Sequence, residues 1–464
     1  MTRADLMLFL PAVAQSAFAF ALGASLGSLI NVLAYRIPRG LGVVTPPSRC
    51  PHCQTRLTWR ENIPILGWIL LRGKCRFCKA PISPEYPIVE AFVAVLFTTC
   101  FALWFLIPEN AAPLGLPLGA IAPEWTRSGL LLTWPALAVL LILLASLTAM
   151  TIIDARTYTI PLAIAWFPTA LAFLAHPAHA LAFELLHGPL QQLRPGLWFA
   201  PDGTRWYSAP NWAWTLPTPS TQNWWAIGAA LGGVLGVPTS LLLQKLRLIG
   251  HSFADYEAWE AKALADAAVD PHHTSGDDPA HLWIQYPHAR REMFTEAAFI
   301  APIVLLAIGG AWLAPRLVAH FAGPWQPAGP GIPGLVPPVD APLWLAVLAG
   351  VCLGALIGGG VVWAVRIAGT LAFGKEAMGI GDVHLMAAVG ACLGWIDAVL
   401  AFFGAAFVGL AYALAGPLLG GRMKRAMPFG PFLAVSTLLV LLLKPGIEIL
   451  LGHLLGSAGP IDLP

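Results

Sequence analysis

Residues Glu376–Gly390 read EAMGIGDVHLMAAVG. A single aspartate, Asp382, stands between two glycines and a long apolar run. Removing a carboxylate from water is costly unless something compensates it, so the stretch asks what holds Asp382 there and what it partners. The chain around it is 464 residues long, 57% hydrophobic and 11% charged, with net charge +2. Its mean hydropathy is +0.71. Soluble domains carry about 25% charged residues, so the composition indicates a membrane protein. The small net charge offers no basic surface for nucleic acid.

A spanning helix needs about 20 mostly apolar residues. Candidate spans fall at 6–34, 88–107, 129–152, 160–176, 224–243, 296–314, 343–369, 384–395, 396–418 and 431–452, which predicts an all-α, polytopic membrane helix bundle. The eighth is short for a bilayer, so it is either a half-helix or begins earlier than its apolar run. The first apolar run is too long for a signal-peptide core and reads as a retained transmembrane helix. Between Arg36 and Pro87 there are nine Lys or Arg and two Glu, which makes that segment cytoplasmic. Alternating from it puts Asp154, the loop with Lys245, Arg247, Arg290 and Arg291, the approach to Asp382 and Arg422–Arg425 on the same side. Trp198, Trp206, Trp212, Trp214, Trp224 and Trp225 suit an outer interfacial belt. His272, His273, His281 and His288 sit in a polar stretch that reads as a solvated loop, with a second metal site as the alternative.

Two cysteine pairs, Cys50–Cys53 (CPHC) and Cys75–Cys78 (CRFC), are separated by twenty-one residues. Each C-x2-C knuckle presents two thiolates, and two knuckles complete a tetrahedron around zinc or a similar ion. Four protein ligands leave no open position, so such a metal is structural, a staple for a small cytoplasmic domain. Redox-active or free thiols are the alternative. Cys100, Cys352 and Cys392 lie in apolar helices and read as small core residues.

Asp154 lies in TIIDARTYTIP at the end of the third span. Alone it reads as a helix-end residue or a partner for Arg156, and Asp382 alone reads as a helix N-cap. Together they suggest an aspartic pair that shares a proton, one carboxylate acting as base on water and the other as acid toward a peptide carbonyl. Gly379 and Gly381 would leave room for an extended peptide beside them.

With these motifs in order, the chain resembles the type IV prepilin peptidases, membrane aspartic proteases with a G-x-G-D motif. The resemblance is carried by GSLINVLAYRIP (Gly27–Pro38), the cysteine segment Cys50–Glu90, IDARTYTIP (Ile153–Pro161), GIGDVHLMAAVGACLGW (Gly379–Trp395) and MPFGPFL (Met427–Leu433). It implies an enzyme of the bacterial inner membrane that removes the leader of prepilins or pseudopilins, for pili or secretion systems, at the cytoplasmic face. It implies Asp154 and Asp382 as the catalytic pair, with Gly379, Gly381 and His384 near the substrate. It also implies N-methylation of the new terminus with S-adenosylmethionine, since the cysteine-bearing domain is present; no residues mark the methyl-donor pocket. GASLGS (Gly23–Ser28) reads as helix packing rather than a nucleotide loop.

The expected organisation is a first helix (1–35), a zinc-binding cytoplasmic domain (36–87), a membrane core with the first aspartate (88–180), an insertion with two extra spans (181–342) and a second core with G-x-G-D (343–464). His384 departs from the lysine common in the family, and Ala155–Arg156 stand where some members carry a second acid. The alternatives are a leader peptidase without methylation and a non-enzymatic transporter or scaffold.

Overall fold

The computed structural model describes residues 3–108, 111, 121–188, 191–194, 197–207, 224–269, 286–327, 335–339, 341–418 and 428–456. In chain order the α-helices are α1 (Arg3–Arg36), α2 (Leu66–Leu70), α3 (Glu85–Phe101), α4 (Leu130–Thr157), α5 (Leu162–His187), α6 (Trp224–Lys245), α7 (Tyr256–Val269), α8 (Ala289–Ala322), α9 (Leu343–Phe373), α10 (Ile380–Leu393), α11 (Trp395–Leu418) and α12 (Gly430–Leu455). Nine helices among the described residues are long and apolar enough to cross a membrane. The fold is therefore all-α and polytopic, as expected, and α6 and α8 coincide with the two extra spans expected in the insertion. Short strands were not foreseen there: β1 (Gln191–Arg194) pairs antiparallel with β2 (Leu197–Phe199), followed by β3 (Arg205–Tyr207), while β4 (Gln326–Pro327) pairs with β5 (Leu335–Val336). Trp198 and Trp206 lie on β2 and β3, and Trp224 and Trp225 open α6; Trp212, Trp214, His272, His273, His281 and Arg422–Arg425 lie outside the described residues.

The chain divides into two compact units. The first runs to Leu171 and resumes at Leu400, with β3; the second takes the rest, from Ala172 to Val399. In the first, α1 packs on α3 through glycines. A methyl group at Gly23 would lie 2.7 Å from the Ala94 Cα, and one at Gly27 would lie 2.6 Å from the Glu90 Cα. Backbones can come this close only where side chains are absent, the usual way helices associate in lipid. The GASLGS stretch is thus a packing surface, as read.

The second unit uses the same device. Gly354 and Gly390 face each other across α9 and α10, each filling the space where the other's side chain would stand. Gly358 meets the Met386 carbonyl in the same row. On the neighbouring pair, Gly228, Gly232 and Gly236 of α6 lie against Gly310, Leu306 and Ile303 of α8.

The eighth apolar helix begins at Ile380, four residues before its apolar run suggested, and ends at Leu393 against Gly394, whose φ is 97°. Its 14 residues rise only about 21 Å, short of the roughly 30 Å hydrocarbon layer. The early start places Asp382 inside its first turn.

Candidate active site

The cysteine domain forms between α1 and α3. Its two knuckles are built alike. The Cys50 amide donates to the Thr55 carbonyl at 3.0 Å and Gln54 donates back to Cys50 at 2.9 Å; Cys75 donates to Ala80 at 2.8 Å and Lys79 to Cys75 at 3.0 Å. Gln54 and Lys79, each directly after its knuckle's second cysteine, both take positive φ, 58° and 60°, so the two knuckles close in the same way. The four sulfur atoms of Cys50, Cys53, Cys75 and Cys78 lie within 4.8 Å of one another. Cys50 and Cys78 are 3.8 Å apart and Cys53 and Cys75 are 4.0 Å apart. Zn–S bonds of about 2.3 Å in a tetrahedron put sulfurs about 3.8 Å apart, so this cluster fits a four-thiolate metal and could hold one.

The thiols' acidities agree with that chemistry. The Thr55 hydroxyl and backbone bring Cys53 down to about 6, and the amides of Cys78 and Phe77 lower Cys75. For Cys78 the Ala80 amide lowers the value, but burial and the neighbouring Cys75, Cys53 and Cys50 together push it up to about 11. Four crowded sulfurs resist full ionisation without a cation, and a divalent ion removes that conflict. Glu90 of α3 ties the domain to the membrane helix, its carboxylate accepting the Ile65 amide at 2.6 Å.

Asp154 occupies the last turn of α4, which stops at Tyr158 in the left-handed region. Its side chain is buried, and Oδ2 accepts the Gly430 amide at 3.1 Å. Gly430 is the first residue of α12, so the carboxylate meets the positive end of that helix, which offsets part of its desolvation. A methyl group at position 430 would come within 2.6 Å of Oδ2; MPFGPFL therefore carries its glycine so that Asp154 can reach the helix end. Arg156 pairs with Glu85 of α3, not with Asp154, which removes the reading of Asp154 as its partner.

Asp382 lies in the second unit, buried in the first turn of α10. The N-cap is Gly379, with φ −70° and ψ 146°, so Asp382 sits three residues inside the helix and is not its cap. It too stands at the positive end of a helix. Gly379 is exposed, Gly381 and His384 are half-buried, and His384 opens with Ile380 onto a cavity of about 530 Å³.

Sequence reasoning missed three residues around that cavity. Arg366 of α9, only 2% exposed, binds Glu296 of α8 through two nitrogens, Nε at 3.1 Å and Nη2 at 2.9 Å. Its Nη1 donates to Glu376 and to the Met378 carbonyl. The signal was available: an arginine and a glutamate inside apolar helices are functional candidates by default.

Nine apolar spans among the described residues, a four-cysteine domain after the first, and buried aspartates at two helix ends define a polytopic membrane protein with the motifs of an aspartic peptidase. Residues 21–104 match the family model of the bacterial peptidase A24 N-terminal domain, and residues 329–414 that of the type IV leader peptidase family. These matches agree with the resemblance read from the sequence: two segments of the chain are similar to the N-terminal and peptidase domains of the type IV leader peptidases. It is similar to a prepilin leader peptidase/N-methyltransferase of Myxococcus xanthus (strain DK1622), 48% identical over 83 residues, 18% of this chain and 25% of the relative. Proteins of the same name from Klebsiella pneumoniae (36% over 150 residues, 31% of this chain and 54% of the relative) and Aeromonas hydrophila (36% over 138 residues, 24% and 42%) are also similar. The chain thus spans between a quarter and about half of these relatives' lengths. No solved structure matches it.

Proposed function

We propose that this protein is an intramembrane aspartic endopeptidase that removes the leader of type IV prepilins or pseudopilins at the cytoplasmic face of the bacterial inner membrane. Asp154 and Asp382 are its catalytic pair. The observation that carries the reading is that each aspartate is buried at the N-terminal end of a helix, α12 for Asp154 and α10 for Asp382. Arg156 pairs with Glu85 rather than with Asp154, and Asp382 lies inside the first turn of α10 rather than at its N-cap.

In the reaction, one ionised carboxylate takes a proton from water as the water oxygen attacks the scissile carbonyl carbon. The other, protonated, gives its proton to the carbonyl oxygen. The tetrahedral intermediate then collapses, the C–N bond breaks, and the leaving nitrogen takes a proton to become an amine. The extended substrate runs past Gly379 and Gly381, and His384 faces its side chains.

In this reading the cysteine domain holds structural zinc through Cys50, Cys53, Cys75 and Cys78, and the enzyme methylates the new amine, the activity in the relatives' names, with S-adenosylmethionine as donor. In that transfer the lone pair of the new terminal amine would form the N–C bond as the donor's S–C bond breaks, S-adenosylhomocysteine would leave as the thioether, and the nitrogen would give up a proton to water. The test is mass spectrometry of a prepilin incubated with membranes holding the protein, with and without methyl donor. Cleavage in both and methylation only with donor is expected. Cleavage with an unmodified terminus despite donor would leave a peptidase alone, and an intact prepilin would refute the assignment.

A further inference from the structure

The insertion helices α6 and α8 pack on each other and on α9, which in turn packs on α10, all within the second unit. Helix α8 has 34 residues, a rise of about 51 Å, so its first polar turns extend past an apolar layer of about 30 Å. Those turns are held firmly. The Phe253 amide donates to Glu292 at 2.8 Å, the buried Tyr286 hydroxyl donates to Asp255, and Phe253, Tyr256 and Trp259 pack around the Tyr286 ring.

From this platform α8 reaches the segment that carries the G-x-G-D motif. Arg290 donates from Nε to the Leu371 carbonyl at 2.9 Å and from Nη2 to Ala372 at 3.2 Å, closing the end of α9. Glu296, oriented by the Trp363 indole at 2.7 Å, accepts two nitrogens of Arg366. Arg366 then grips Glu376 and the Met378 carbonyl, and Thr370 accepts the Ala377 amide at 3.1 Å. The segment Gly374–Gly379 is therefore held at Glu376, Ala377 and Met378, immediately before the N-cap of α10.

We propose that Glu296 and Arg366 are positioning residues for Asp382: the insertion fixes the loop that aims the first turn of α10. The inference rests on the reading of Asp382 as catalytic. Buried ion clusters are a poor source of stability compared with apolar packing. What this one supplies is a single geometry, since a planar guanidinium satisfies these partners only in one orientation. It also gives the insertion a purpose that sequence reasoning could not find.

The test compares wild type, Glu296→Gln, Arg366→Lys and Arg366→Met for prepilin cleavage in membranes, with kcat and KM determined separately and unfolding temperature measured in parallel. Misplacement of a catalytic group by about 1 Å costs on the order of 100-fold. Glu296→Gln is expected to lower kcat by about 10- to 100-fold with KM little changed, and Arg366→Lys to retain more activity than Arg366→Met. A folded Glu296→Gln protein with kcat within about twofold of wild type overturns the proposal, whatever its unfolding temperature. If Glu296→Gln does not accumulate, Trp363→Phe, which removes only the indole donor to Glu296, decides in the same way with a smaller expected loss. Asp382→Asn in the same assay separates the two claims: if it cuts, the catalytic reading fails; if it is dead while Glu296→Gln is as fast as wild type, only the positioning role fails.

Discussion

Replacing Gly430 by alanine tests how closely Asp154 must sit against α12. The added carbon would lie 2.6 Å from Oδ2 and 3.3 Å from Cγ of Asp154, and 3.3 Å from Cδ1 of Ile160. Non-bonded contacts to carbon settle near about 3.5 Å, so the carboxylate and the helix end must part by roughly 0.9 Å. The Gly430 amide, 3.1 Å from Oδ2, would then be about 4 Å away, beyond hydrogen-bonding range. Overpacking of this kind costs about 1–3 kcal/mol, and losing the bond to a carboxylate costs about 1–3 kcal/mol more. In activity, a shift of about 1 Å costs on the order of 100-fold, or about 2.7 kcal/mol on the barrier. Gly446 on the same helix is the control, since nothing lies within 4 Å of a methyl group there. The assay is prepilin cleavage in membranes at matched protein levels, with folding followed by thermal unfolding. Gly430→Ala should cut about 100-fold more slowly and Gly446→Ala at the wild-type rate. A folded Gly430→Ala protein as fast as wild type would show that the close approach of Asp154 to α12 is not needed.

Three further predictions concern the rest of the molecule. Cys50→Ser should lose bound metal and expose the 50–78 region to protease, measured as metal per chain and by limited proteolysis; unchanged metal content would count against the four-thiolate site. Gly354→Ala and Gly390→Ala should each destabilise the α9–α10 packing by about 1–3 kcal/mol, and the double variant should cost less than the sum because both relieve the same crossing; additive losses would mean the two glycines do not share one contact. The Asp255 carboxyl is held down to about 2 by the Tyr286 hydroxyl, His288 and Arg291. A depressed carboxylate stabilises the fold above its unfolded value near 3.9 and loses that contribution as pH falls toward its folded value. The difference in unfolding temperature between wild type and Asp255→Asn should therefore be constant above about pH 5, shrink as pH falls through about 4 to 2, and vanish only below about pH 2; a difference that grows as pH falls would reverse the sign of the argument.

The spans were legible because length and apolarity alone specify them. The cysteine cluster was legible because C-x2-C spacing fixes a knuckle before any tertiary structure forms. The start of α10 was set four residues late because GIGD is not apolar, although it supplies the first turn. The pairing of Arg156 with Glu85 rather than Asp154 was hidden, since α3 and α4 bring together residues far apart in sequence. The same holds for Glu296, Arg366 and Glu376, whose contact depends on how α8 and α9 pack. Gly430 stood inside a quoted motif, but only the structure gives its reason, the room it leaves for Asp154.

The central claim is that Asp154 and Asp382 form one catalytic pair, and its most direct test is cleavage of a candidate prepilin by wild type, Asp154→Asn and Asp382→Asn at matched expression. The account predicts that wild type cuts and that both variants are inactive while still folded and inserted. Wild-type cleavage by either variant would contradict it.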